Sequence, residues 1–134
     1  MKYTVKQLGA LLNAIAGDAA LATRTTASTN VVGGSRFYWT AALTYGAATA
    51  VTITPYKSND EGTTWVQAQA EKIASDGTAT LSDYAWTKST GSGDITMEGW
   101  LDVIGATHVK LIASFASGSA DDSFTLKGSL AMAK

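Results

Sequence analysis

Val109-Lys110-Leu111-Ile112-Ala113-Ser114-Phe115 and, beyond the loop from Ala116 to Asp121, Ser123-Phe124-Thr125-Leu126-Lys127-Gly128-Ser129-Leu130-Ala131-Met132 alternate residue by residue. Val109, Leu111, Ala113 and Phe115 share one parity. Phe124, Leu126, Gly128, Leu130 and Met132 share the other run's apolar parity. A period of two puts one set on a buried face and its partners on a wet face, so each run reads as a half-buried antiparallel strand. Only Ala133 and Lys134 follow Met132, so a strand is expected to close the fold.

Working back from this pair, the same grammar recurs. Phe37, Trp39, Ala41 and Leu43 share a face in the run opened by Arg36. Ala50 to Tyr56 is a second such run, and its Pro55 lacks a ladder donor, which suggests a strand edge or a bulge. Ser58-Asn59-Asp60-Glu61-Gly62 has hairpin-loop composition, followed by an alternating run from Thr63 to Ala70. Ser75-Asp76-Gly77 is the next turn. Thr78 to Thr87 changes parity near Ser82-Asp83, where a bulge is expected. Asp94 to Trp100 is a short strand carrying Ile95 and Met97. The sum is about seven or eight strands separated by turns, the pattern of an antiparallel β-sandwich or jelly roll, with a barrel as the alternative.

The first residues read differently. Val5, Leu8, Leu12 and Ile15 recur at spacings of three and four, an apolar stripe on a helix. Thr4 and Gln7 fit a capping box, and Gly17 a C-terminal stop. Leu21 to Ser35 is a polar stretch, either an extended linker or an edge strand. The expected organisation is therefore a helix and arm over residues 1–35 and a β-sandwich over residues 36–134. Whether the helix packs on its own domain or on a neighbouring subunit is open at this stage.

Composition bounds the function. The chain has 134 residues and a formal net charge of -1, enough for one domain with a real core. Its basic residues form no patch, so nucleic acid is not an expected partner. Charged residues make up 16%, against roughly 25% in typical globular proteins. Ala, Thr, Ser and Gly replace them, a surface suited to packing against other protein. There are no cysteines, so disulfides and thiolate metal sites are excluded. No apolar run approaches the ~20 residues of a membrane-spanning helix. Met1 to Ala22 matches a secretory signal poorly, because Asn13 interrupts its apolar run and Lys6-Gln7 sit late.

No catalytic constellation emerges. His108 is the single histidine and has no nucleophile elbow beside it. One histidine without cysteine makes a zinc site improbable. Asp60 with Glu61, Asp121 with Asp122, and Asp94 with Glu98 are carboxylate pairs of the kind glycosidases use, but the first two fall in Gly- and Ser-rich loops and are expected to be solvated turn residues. Asn59-Asp60-Glu61 lacks the spacing of a calcium loop. Gly33-Gly34 leads into a strand, so it is no phosphate loop. Neither a metal nor a cofactor is expected, and the chain is not expected to be an enzyme. Trp39 shares the core parity. Trp65, Trp86 and Trp100 are the candidates for an interface or for stacking on sugar rings.

From Phe37 onward the chain resembles the small β-sandwich (jelly-roll) virion proteins of tailed bacteriophages, of the head decoration or cement type. The residues that carry the resemblance are Ser58-Asn59-Asp60-Glu61-Gly62-Thr63-Thr64-Trp65 and the ending His108-Val109-Lys110-Leu111-Ile112 through Phe124-Thr125-Leu126-Lys127-Gly128-Ser129. The resemblance implies a homotrimer on the capsid surface of a virion, with the major capsid protein as partner and Val5, Leu8, Leu12 and Ile15 anchoring an arm. The alternative is a carbohydrate- or receptor-binding module of a phage tail or cell surface, with Trp65, Trp86 and Trp100 as the platform.

Overall fold

A computed structural model of the chain describes residues 3–15 and 23–133. Twelve strands and no helix occupy the described residues: β1 (Tyr3–Ile15), β2 (Thr23–Thr25), β3 (Thr29–Asn30), β4 (Gly34–Thr44), β5 (Ala50–Ser58), β6 (Val66–Gln67), β7 (Gln69–Ile73), β8 (Ala79–Asp83), β9 (Trp86–Ser89), β10 (Ile95–Asp102), β11 (His108–Ala116) and β12 (Ser123–Ala133). They form a β-sandwich. One sheet has the order β1-β12-β4-β10. The other runs β2-β11-β5-β6, with β3 also on β11 and β9 also on β5, and β7 and β8 make a separate two-stranded ribbon.

The parity of the sequence places the core. Phe37, Trp39, Ala41 and Leu43 of β4 and Phe124, Leu126 and Leu130 of β12 are buried from the first sheet. Val51 and Ile53 of β5 with Val109, Leu111, Ala113 and Phe115 of β11 face them from the second, in one cluster. Phe115 and Phe124 join the sheets edge to face at 4.9 Å, a geometry that the ring quadrupoles favour. Pro55 sits inside β5 without breaking it. On that flank β9 ends its pairing at Ile53 and β6 begins at Tyr56, so the missing amide falls in the gap between them.

Beyond the strand count, twelve where seven or eight were expected because short pieces such as β2, β3, β6 and β9 flank the long strands, two expectations need correction. The segment read as an N-terminal helix is β1, antiparallel to β12 from Tyr3↔Ala133 to Ile15↔Phe124. Its register breaks at Gln7/Gly9, Ala10/Leu12 and Leu12/Ile15. Each break inserts residues without a cross-strand partner, which turns a spacing of three or four into a return to the same face. Gly9 supplies the left-handed turn of the first break at φ 70°, a conformation that glycine adopts without a Cβ penalty. Gly17, the expected helix stop, lies outside the described residues. Second, the run from Thr78 to Thr87 is two strands rather than one bulged strand. Beyond β8 the chain leaves the ribbon and pairs with β5 as β9, and the amide of Tyr84 bonds to the carbonyl of Ala68 at the crossing.

Candidate interaction surface

β10 is the outermost strand of its sheet, and its register with β4 runs unbroken from Ile95↔Leu43 to Asp102↔Arg36. The amide of Val103 donates to the carbonyl of Ser35 at 3.0 Å. Backbone direction alternates along a strand, so the odd residues of β10 bond to β4. The backbone groups of Thr96, Glu98, Trp100 and Asp102 therefore point away from the sheet. Two lysines from the opposite sheet reach this edge. Lys88 Nζ donates to the carbonyl of Thr96 at 2.8 Å, and Lys57 Nζ to that of Asp102 at 3.2 Å. Between these bridges the amides and carbonyls of Glu98 and Trp100 meet no strand among the described residues.

A groove of about 610 Å³ runs beside this stretch. Ala68, Tyr84 and Trp86 line one side and Gly99, Trp100 and Leu101 the other. Trp86 stands edge to face with Tyr84 at 4.4 Å and with Trp39 at 5.0 Å. The Trp39 indole lies over Gly99, where any Cβ would come within 2.7 Å of the ring. Its Nε1 is buried with no hydrogen-bond partner among the described residues. On the outer face Trp100 is 49% exposed. It pairs across the ladder with Tyr38, and the Arg36 guanidinium lies 4.3 Å above its ring.

The tryptophans expected to share a platform do not all meet. Trp86 and Trp100 border the same groove. Trp65 belongs to the other sheet's outer surface, where Lys110 Nζ lies 4.5 Å from its ring centre and 5.8 Å from that of Tyr56. Among the arm residues, Leu8 and Leu12 pack on this chain's own core and Val5 is exposed. Ile15 faces Phe124 in the register, and its side chain lies outside the described residues.

The carboxylates have local duties. Asp60 folds the 58–64 loop, accepting from the Thr64 amide at 2.8 Å and from Ser58 Oγ at 2.7 Å. These bonds, the backbone one first, lower its pKa to about 2. Asp122 corrects the reading of both its pair's members as solvated: it is fully buried. Its carboxylate accepts from the amides of Gly46, Ala47, Ala48 and Ser119. Burial pushes its pKa up, but the amides of Ala47, Ser119, Gly46 and Ala48 together outweigh that and hold it below the ordinary carboxylate value. A Ser-rich loop hid this role in the sequence, because a helper of distant amides looks like any turn aspartate. His108 opens β11 half-buried, its Nδ1 3.1 Å from Thr107 Oγ1. No group of three His, Cys, Asp or Glu is placed to hold a metal among the described residues.

No protein-family model matches the sequence, and no curated protein matches it. Solved structures do share the fold. The SPBc2 prophage-derived protein YomS aligns at TM-score 0.50 and 12% identity, over 98% of this chain and 96% of its own. The PBSX exported protein XepA aligns at TM-score 0.54 and 12% identity, over 98% of this chain. A chain of the infectious bursal disease virus Gx strain aligns at TM-score 0.54 and 14% identity, again over 98% of this chain. This chain spans 38% of XepA and 32% of the viral chain. The fold is thus one found in phage-derived proteins and in a virus particle.

Proposed function

We propose that this protein is a non-enzymatic structural component of a phage virion, a decoration (cement) protein that sits on the capsid surface as a homotrimer and stabilises the lattice of the major capsid protein. The observation that carries this reading is the end-to-end match with a prophage-derived protein of similar length, 98% of one chain on 96% of the other. The low-charge Ala/Thr/Ser surface supports it, since such a surface loses little hydration on packing against protein. Many copies bound together turn weak single contacts into firm attachment. The test is light scattering of the purified protein, followed by sedimentation with emptied heads from the same source. A trimer that co-sediments and raises the temperature at which the heads open supports the proposal. A protein that stays in the supernatant overturns it. A second reading, carbohydrate binding on a tail, draws on the groove beside exposed Trp100. A glycan array whose hits vanish in Trp100→Ala would favour it.

A further inference from the structure

We infer that β10 is a self-association edge, at which two copies of this chain join their β1-β12-β4-β10 sheets by antiparallel β10–β10 pairing about a two-fold axis midway between their facing Gly99 residues. Open strand edges are usually blunted by bulges, short length or proline. The opposite edge of the same sheet is blunted, since β1 carries three register breaks. The other sheet ends in short strands, β2 of three residues and β6 of two. β10 has eight residues, unbroken register and no proline. The charged side chains that also guard edges reach it as Lys88 and Lys57 only at Thr96 and Asp102, leaving the backbone of Glu98 and Trp100 between them open. The adjoining groove keeps the stretch from Glu98 to Asp102 uncovered.

Chemistry selects both the partner and the register. Only Thr96, Glu98, Trp100 and Asp102 present backbone groups outward, so an incoming antiparallel strand must pair with these. A second β10 offers the same four at the same spacing. Pairing Glu98 with Glu98 would set two carboxylates opposite each other. Pairing Trp100 with Trp100 would set Glu98 opposite Asp102. Like charges directly opposite are destabilising. Pairing Glu98 with Trp100 avoids both clashes. It places Thr96 opposite Asp102 and brings each Glu98 toward the Arg36 that lies over the other copy's Trp100. All four free groups of Glu98 and Trp100 in each copy then find partners, and the lysine bridges at Thr96 and Asp102 frame the ladder. Two-fold pairing joins copies in twos, so in a decoration layer it would link neighbouring trimers; the inference concerns the purified chain and does not depend on the virion reading.

The chain has no cysteine, so introduced thiols report cleanly. Bonded antiparallel partners have Cα atoms about 5.5 Å apart, within reach of a disulfide. Diagonal neighbours at about 7–8 Å are beyond it. Glu98→Cys and Trp100→Cys are both at exposed positions. Mixed and oxidised at high concentration, the two variants should give a disulfide-linked dimer, and Trp100→Cys, in which the 100–100 register still sets Glu98 against Asp102, should not do so alone. Glu98→Pro in the otherwise native chain removes an outward amide, and with it the Glu98 carboxylate, without touching the ladder to β4, and should abolish the concentration-dependent rise in mass that sedimentation is expected to show for the native chain. No crosslink in the mixture overturns the inference, as does equal crosslinking of Trp100→Cys alone. If a different protein's strand, not a second copy, occupies this edge, the mixture stays uncrosslinked, and the inference fails.

Discussion

At the scale of single residues, the most consequential side chain is one whose sequence context concealed it. Asp122 gathers four amides from two loops, 46–48 and 119, and so ties the β4–β5 connection to the β11–β12 connection. Both of its oxygens accept. Asp122→Asn keeps the shape but turns one acceptor into a donor that faces backbone N–H groups. Leaving a buried amide unsatisfied costs about 1–3 kcal/mol, so urea unfolding should show a loss of about that size or more. The pH dependence has a definite sign. A carboxyl held below its ordinary value of 3.8 stabilises the fold above that pH, and the contribution disappears as pH falls through the lowered native value. Asp60, lowered to about 2 by the Thr64 and Ser58 bonds, acts in the same direction. The melting temperature of the native protein should therefore fall on acidification below pH 3.8, and that of Asp122→Asn should fall less steeply. Gly99 is equally invisible in the sequence. Its importance lies in the Trp39 ring above it, 2.7–2.9 Å from where a Cβ would stand. Gly99→Ala should cost about 1–3 kcal/mol as overpacking, read by denaturant titration.

At the scale of elements, the long alternating strands were legible because burial has the same period as the pleat. β4 shows this in a clean succession of exposed and buried positions from Arg36 to Thr44, and β11 in a succession of half-buried and buried ones. β1 was misread because its bulges destroy that period. Three register breaks in one strand mimic the spacing of a helix, and Leu8, Leu11 and Leu12 all reach the core although no strict alternation joins them. The two readings predict opposite signs for one substitution. On an exposed helix, Gly9→Ala would stabilise by about 1 kcal/mol. In the structure Gly9 has φ 70° and a Cβ there would touch nothing within 4 Å. The whole effect is then conformational, a destabilisation of about 1–2 kcal/mol. Equilibrium unfolding of that single variant separates strand from helix. The edge status of β10 was likewise out of reach, because a sequence shows which faces are wet but not which strand lacks a neighbour.

At the scale of the whole molecule, strand order was illegible for a physical reason: the pairings are not between sequence neighbours. β1 pairs with β12, β12 with β4, and β4 with β10, so one sheet collects segments from both ends and the middle of the chain. Composition and parity act locally and carry no record of such closures. The same topology governs how the chain folds. Closing long loops must precede the contacts that compensate for their entropy, so sandwiches of this kind fold in milliseconds to seconds. β12 lies between β1 and β4, with Leu126 fully buried in the common core. β1 lies outside it, and among the described residues its only strand partner is β12, with a broken register. A nucleus that joins β4, β12 and the facing β11 and β5 can form without β1, whereas β1 has nothing to pair with until β12 is in place. Leu126→Ala should therefore slow refolding, as expected for a contact present in the transition state, on top of an equilibrium cost of about 2–5 kcal/mol. Gly9→Ala should leave the refolding rate almost unchanged and place its cost in faster unfolding. Stopped-flow fluorescence can follow both, since buried Trp39 and half-buried Trp86 touch in the native state. Equal slowing by the two substitutions would mean that β1 docks before the barrier, and the order of assembly argued from the sheet would be wrong.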